Sequence, residues 1–254
     1  MLGLVVVLLA ASPSLSEKLQ VVSTAKVFVA HQSVGQNVLD GVSALALQGF
    51  VRLNLEHAVV GRDGSPVSKL DEVASLLQKL PPMQVAMLEL SHADIGADTD
   101  VDAFFALFKK RLEALQLKFP QTRFVVVTVG LTTVGRGLQG LIKNKLASGA
   151  FGERENVKRH LLNERLRGQY LDRLFDLATV ESGGSGSEPS AARRGQGAKP
   201  DTDPGVSCSF EREGKTWPCL REDFTDDGSH LNAAGRKEAA RAFVDAVYGA
   251  INDH

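Results

Sequence analysis

Ser33, Asp227 and His230 are the residues of this chain whose types and surroundings suit nucleophilic chemistry. Ser33 lies in VFVAHQSVGQNVLDGV, residues 27–42, where an apolar strand-like run stops at His31-Gln32-Ser33 and passes into an amphipathic helix pattern. A serine at such a junction falls at the carboxyl edge of a sheet, where open α/β folds put their chemistry. Asp227 and His230 stand three positions apart in TDDGSHLNAAGRKEAA, residues 225–240, a turn-rich segment just before the last helix pattern. A carboxylate beside a neutral imidazole makes a base that takes a serine's proton and later returns it to a leaving group. Taken alone, an Asp-x-x-His reads equally well as a pair of solvated cap residues. Joined to Ser33 at the opposite end of the chain, it reads as the rest of one site.

For these residues to meet, the chain must bring its two ends to one sheet edge, and its periodicity says how. Apolar runs recur at 26–30, 51–60, 84–91, 123–131 and 173–180, which predict five strands. Helix-period stretches at 34–48, 67–80, 100–118, 153–170 and 232–251 separate and follow them; in the third, Val101, Phe104, Phe105, Phe108, Leu112 and Leu115 share one face. Near-continuous apolar strands alternating with helices predict a doubly wound parallel sheet covered on both faces, in one domain over about 24–252. Two stretches break the rhythm. Residues 135–154 read as a glycine-containing loop or lid after the fourth strand, and 181–205, dense in Gly, Ser and Pro, read as a flexible insertion.

The chain has 254 residues and 43% hydrophobic content, enough for a sizeable core. Its 29 Lys and Arg against 30 Asp and Glu set up no net field for a polyanion, and no basic stripe interleaves with aromatics, which argues against nucleic acid. Residues 1–20 open with an apolar run from Leu2 to Ala11, small residues and Pro13, a pattern of a secretory leader too short to span a bilayer; a buried first strand is the other reading. Cys208 and Cys219, in one polar segment, suit a loop-closing disulfide in an oxidising compartment, which favours a secreted or periplasmic protein. No ligand spacing suggests a metal and no glycine loop suits a phosphate, so no cofactor is expected.

With a serine after the first strand and an Asp-x-x-His before the last helix, the chain resembles the SGNH or GDSL-type serine hydrolases over about residues 25–250. The stretch HQSVGQN is also similar to a group of bacterial proteins described as hydrolase-like. The resemblance implies a three-layer α/β/α sandwich with a five-stranded, mostly parallel, flavodoxin-like sheet. It also implies attack by Ser33 on an ester carbonyl, His230 as base and Asp227 as its orienting partner. The expected substrate is a small-molecule or saccharide ester, or a lipid ester, hydrolysed or used for acyl transfer.

Where the family has Gly-Asp-Ser-Leu, this chain has His31-Gln32-Ser33-Val34, and where the family has Gly-x-Asn-Asp it has LSHADIG, with Ala93 in place of the asparagine that donates to the oxyanion. Losing one such donor costs about 10²–10³ in rate, so a substitute is needed. Candidates are the N–H groups that start the helix after Ser33, a ring nitrogen of His92, the amide of Asn37, His31, and the N–H of Gly61 or Gly64 in the family's second block. Asp94 reads as structural or substrate-positioning, and His57 and His160 stay unassigned. The missing oxyanion parts also fit a binding module that kept the fold without the catalysis, whereas a flavin or nucleotide binder would need a better phosphate loop than HQSVGQN.

Overall fold

The computed structural model describes residues 12–62, 64–135, 152–184 and 207–252. Five parallel strands, β1 (Val27–His31), β2 (Leu55–Val59), β3 (Val85–Leu88), β4 (Arg123–Val127) and β5 (Leu174–Phe175), form one sheet in the order β2-β1-β3-β4-β5. The register aligns Val27 with both Leu55 and Val85, so the carboxyl ends of β1, β2 and β3 finish level. The chain reverses direction across the sheet between β1 and β3, the switch point at which flavodoxin-like sheets open a crevice.

Strand β1 is buried along its whole length, and its side chains alternate between two cores. Val27 and Val29 pack with α1 (Leu15–Thr24), α2 (Ser33–Gln48) and α7 (Ala233–Asn252). Phe28 and Ala30 pack with α3 (Pro66–Leu77), α4 (Val101–Lys118) and α5 (Glu153–Tyr170). The result is the expected three-layer α/β/α sandwich. Local chemistry sets several of the helix starts. Ser14 and Glu17 make a capping box for α1, Pro66 opens α3, and the Asp100 side chain accepts the Ala103 N–H to start α4.

The differences from the periodicity have physical causes. Residues 173–180 give only a two-residue strand, because the Asp176 carboxylate, held by Arg167, accepts the Thr179 N–H and begins a short helix, α6 (Leu177–Glu181). With β5 so short, Val129 has no strand beside it, and both its N–H and its carbonyl bond the side-chain amide of Asn163. The apolar run 51–60 pairs only from Leu55 onward, and Phe50 with positive φ turns the chain into it. An antiparallel hairpin, β6 (Ser209–Arg212) and β7 (Lys215–Pro218), was not expected; a disulfide between Cys208 and Cys219 closes its base.

Residues 15–20 of the expected leader lie within α1, where Leu19 and Val22 are core residues and Lys18 pairs with Asp245 of α7 at 2.8 Å; residues 1–11 lie outside the described residues. So do most of the expected lid, at 136–151, and of the expected insertion, at 185–205. Among the described residues no helix is long and apolar enough to cross a membrane.

Candidate active site

The carboxyl end of β1 runs through His31 and Gln32 into Ser33, the first residue of α2, whose side chain is exposed. Opposite it, the segment before α7 folds into a tight loop. Gly228, at φ +94°, makes the turn; a Cβ there would meet Thr133 Oγ1 at 2.7 Å, and the Thr133 N–H donates to the Gly228 carbonyl. The loop presents His230 toward α2, with its Nε2 2.9 Å from Ser33 Oγ. The other ring nitrogen, Nδ1, lies 2.5 Å from Asp227 Oδ2. Asp227 Oδ1 in turn accepts the N–H groups of Ser229 and His230, both at 2.9 Å. Partial burial disfavours its charge, but these N–H bonds and the His230 ring prevail and hold the carboxyl well below the usual range. Ser33, His230 and Asp227, 197 positions apart in the chain at their widest bond, thus form one continuous hydrogen-bonded line.

This line can do base-assisted nucleophilic chemistry. An ionised Asp227 on Nδ1 fixes the tautomer with its proton on that side, which leaves Nε2 to accept the Ser33 hydroxyl proton. The side chains of His230 and Asp227 are 43% and 53% exposed, so a substrate can reach Ser33 directly.

The other expected site residues are placed differently. His92 begins a turn of 3₁₀ helix after β3, and its ring stands edge-on to that of His230 at 6.4 Å between centroids, so it belongs to the site. Asn37 is held by its amide oxygen: Oδ1 accepts the Leu231 N–H at 3.0 Å and ties the histidine loop to the nucleophile helix. His31 is fully buried, with Nδ1 against the Gln32 carbonyl and Nε2 against His57 Nδ1, so neither nitrogen faces a substrate; burial, above all, lowers its pKa. The glycine N–H groups are taken as well. Gly61 donates to Glu72 Oε2 at 2.7 Å, and Gly64 donates to Asp94 Oδ1 at 2.9 Å. Asp94 is structural: its Oδ2 also accepts from Lys69 Nζ, and both side chains of this ion pair are wholly buried. His160, also unassigned, packs edge-on to Trp217.

Several residues at the site carried no sequence signal. The Gln32 side-chain amide donates to the carbonyls of Val60 and Gly61, stapling the loop after β2 to the start of α2. Arg159, reaching up from α5 and fully buried, donates its Nε–H to the His92 carbonyl at 2.9 Å. Glu89 accepts the Gln32 N–H. These are contacts between distant segments, which no local pattern in the sequence reports. No group of three or more His, Cys, Asp or Glu side chains that could hold a metal ion occurs among the described residues.

No protein-family model matches the chain, and no curated protein matches it. Among solved structures it is similar to a protein from Streptococcus pneumonia described as a "putative platelet activating factor", with a TM-score of 0.50 and 14% identity over 92% of this chain and 91% of that one. At that identity the likeness establishes the shared α/β/α fold.

Proposed function

We propose that the protein is a serine hydrolase of the SGNH type that cleaves, or transfers, the acyl group of an ester. The observation that carries the reading is the line of hydrogen bonds from Ser33 Oγ through His230 to Asp227, with the serine open to solvent. In the reaction, Ser33 Oγ attacks the ester carbonyl as His230 Nε2 takes its proton. The imidazolium, stabilised by Asp227, gives that proton to the departing alcohol, and an acyl-enzyme forms. Water, or a sugar hydroxyl in a transfer, then attacks the acyl group with His230 again as base. With Ala93 in place of a donor and the N–H groups of Gly61 and Gly64 engaged elsewhere, the oxyanion falls to the first N–H groups of α2, above all that of Ser33. The helix start suits this, because Gln32 places no side-chain cap on it. His92 is a second donor if its ring turns toward the same point.

The reduced set of donors also favours the second reading, a binding module with the same cleft. A fluorophosphonate probe and a short-chain aryl ester separate the two. In wild type the probe labels Ser33 and the ester turns over; in Ser33→Ala both are lost, with turnover down by at least about 10³-fold. A folded wild-type protein that neither labels nor turns over would end the hydrolase reading and leave the binding one.

A further inference from the structure

A carboxyl group with no part in the acyl chemistry lies directly beneath the first turn of α2. Glu89, one residue past β3, is 3% exposed, and its Oε2 accepts the Gln32 N–H at 2.7 Å. The backbone N–H of Gly35 bonds the same carboxyl. A Cβ on Gly35 would lie 2.9 Å from Glu89 Oε2 and 2.5 Å from His31 Cβ, so the helix rests on these two side chains at a distance only glycine permits. A helix ordinarily caps itself, with a short polar side chain at the cap position accepting the N–H three residues on and a glutamate there reaching back. Here Gln32 occupies the cap position without a side-chain cap bond, and Glu89 from the neighbouring strand accepts both N–H groups. The two between them, those of Ser33 and Val34, belong to the first turn and have no intrahelical acceptor.

We propose that Glu89 is a positioning residue for the reaction: it caps the nucleophile helix from β3, fixes Ser33 against His230, and leaves the Ser33 and Val34 N–H groups for the oxyanion. The proposal rests on the hydrolase reading above. It makes the charge of Glu89 matter as well as its shape. Burial, foremost, pushes this carboxyl up to about 7, against the Gln32 and Gly35 N–H bonds and the attraction of Lys69. The groups facing it are Lys69 from α3, Asp94 from the turn after β3, His31 from β1 and Glu181 from α6. When neutral, Glu89 leaves the positive end of α2 to the oxyanion. When ionised, it competes for the same partial charge and repels the oxyanion, so turnover loses a component as pH rises through neutrality.

The test uses the full chain, Glu89→Ala, which removes the acceptor, and Glu89→Gln, which keeps an acceptor oxygen but cannot ionise. Glu89→Ala should lower kcat on the aryl ester about 10- to 100-fold with KM within about threefold, the size of effect that misplacing a reacting group produces. Glu89→Gln should restore kcat to within about threefold at pH 6 and lack the decline near neutrality, a readout that simple loosening of the fold would not move. Amide hydrogen exchange without substrate should show protection at Gln32 and Gly35 lost in Glu89→Ala and kept in Glu89→Gln. If Glu89→Ala does not fold, the Gln variant's pH profile decides. A kcat for Glu89→Ala within twofold of wild type, or a Glu89→Gln profile that superposes on wild type, would overturn the proposal. If the wild type fails to label with fluorophosphonate, the hydrolase reading fails instead, and the exchange data still decide whether Glu89 is the cap.

Discussion

The open line of Ser33, His230 and Asp227 and the polar layer beneath it use similar side chains under opposite conditions. Above, His230 and Asp227 are about half exposed and held by short-range bonds within a six-residue loop. Below, Lys69 and Asp94 are wholly buried, and Glu89, Arg159 and Glu181 are nearly or fully so, each bonded across a long stretch of chain. Exposed charges contribute little to stability because water already satisfies them, whereas a buried charge deprived of its partner is costly. The upper set can therefore be altered with the fold intact, whereas in the lower set removing the partner of a buried charge should destabilise the protein. The division of labour follows: the upper residues meet the substrate, and the lower ones fix where they stand.

The sharpest way to break that contrast is to change one residue of the upper set for its uncharged twin. On the hydrolase reading, Asp227→Asn should lower turnover by about 10⁴-fold, because the amide favours the wrong tautomer of His230. Its melting temperature should stay close to wild type, since the amide oxygen can still accept the Ser229 and His230 N–H groups. A large loss of stability with modest loss of rate would place Asp227 with the lower set.

Next in size is the reverse experiment. Lys69→Met preserves volume but leaves Asp94 buried without its cation. Burial already raises the pKa of Asp94, with the Lys69 bond acting against it. The expected loss is about 3–5 kcal/mol of unfolding free energy in denaturant titrations. Adding Asp94→Leu should recover much of it, and Ser33 should still label below the transition. Recovery would fail if the Asp94 bonds to the Gly64 and Ser91 N–H groups, which the leucine also removes, matter more than the ion pair.

The same contrast explains what the sequence disclosed. The serine at a strand-to-helix junction and the Asp-x-x-His before a helix are local patterns, and alternating apolar runs are local too, so the α/β/α sandwich and the three residues were legible from the chain. The roles of Gly61, Asn37 and His31 were not. The Gly61 N–H is taken by Glu72 on α3, Asn37 by a backbone N–H 194 positions away, and His31 by His57 of the adjoining strand. A glycine after β2 looks the same whether its N–H faces a cleft or a carboxylate. Glu89 hid at the end of an apolar run, where a polar residue reads as the strand emerging into water. The β6–β7 hairpin turns at Glu213 and Gly214, both at positive φ, but its first turn residue is a glutamate and not the Asn or Asp that marks a two-residue turn in a sequence. The polar surroundings of the two cysteines obscured it.

Glu181 tests the lower set by pH alone. It is fully buried at the end of α6, its Oε2 accepts the Leu131 N–H at 2.5 Å, and its Oε1 has no hydrogen-bond partner among the described residues. Burial, first, and then the nearby Glu89 push its pKa up to about 8, against the Leu131 N–H bond and the Arg159 charge. The folded protein thus holds a proton on Glu181 over a range in which the unfolded chain has released it. Stability from this group is complete below the ordinary glutamate pKa and is lost as pH rises from there through about 8. The melting temperature of wild type should fall between pH 5 and pH 8.5. Glu181→Gln keeps an oxygen for the Leu131 N–H and has no proton to lose. It should match wild type near pH 5 and melt higher at pH 8.5, by about 2–4 °C for each kcal/mol that ionisation costs. Because Glu89 acts with the same sign, some decline should persist in the single variant and vanish when Glu89→Gln is added. A wild-type melting temperature that rises with pH across this range would mean that the charges beneath the site are better matched than their burial implies.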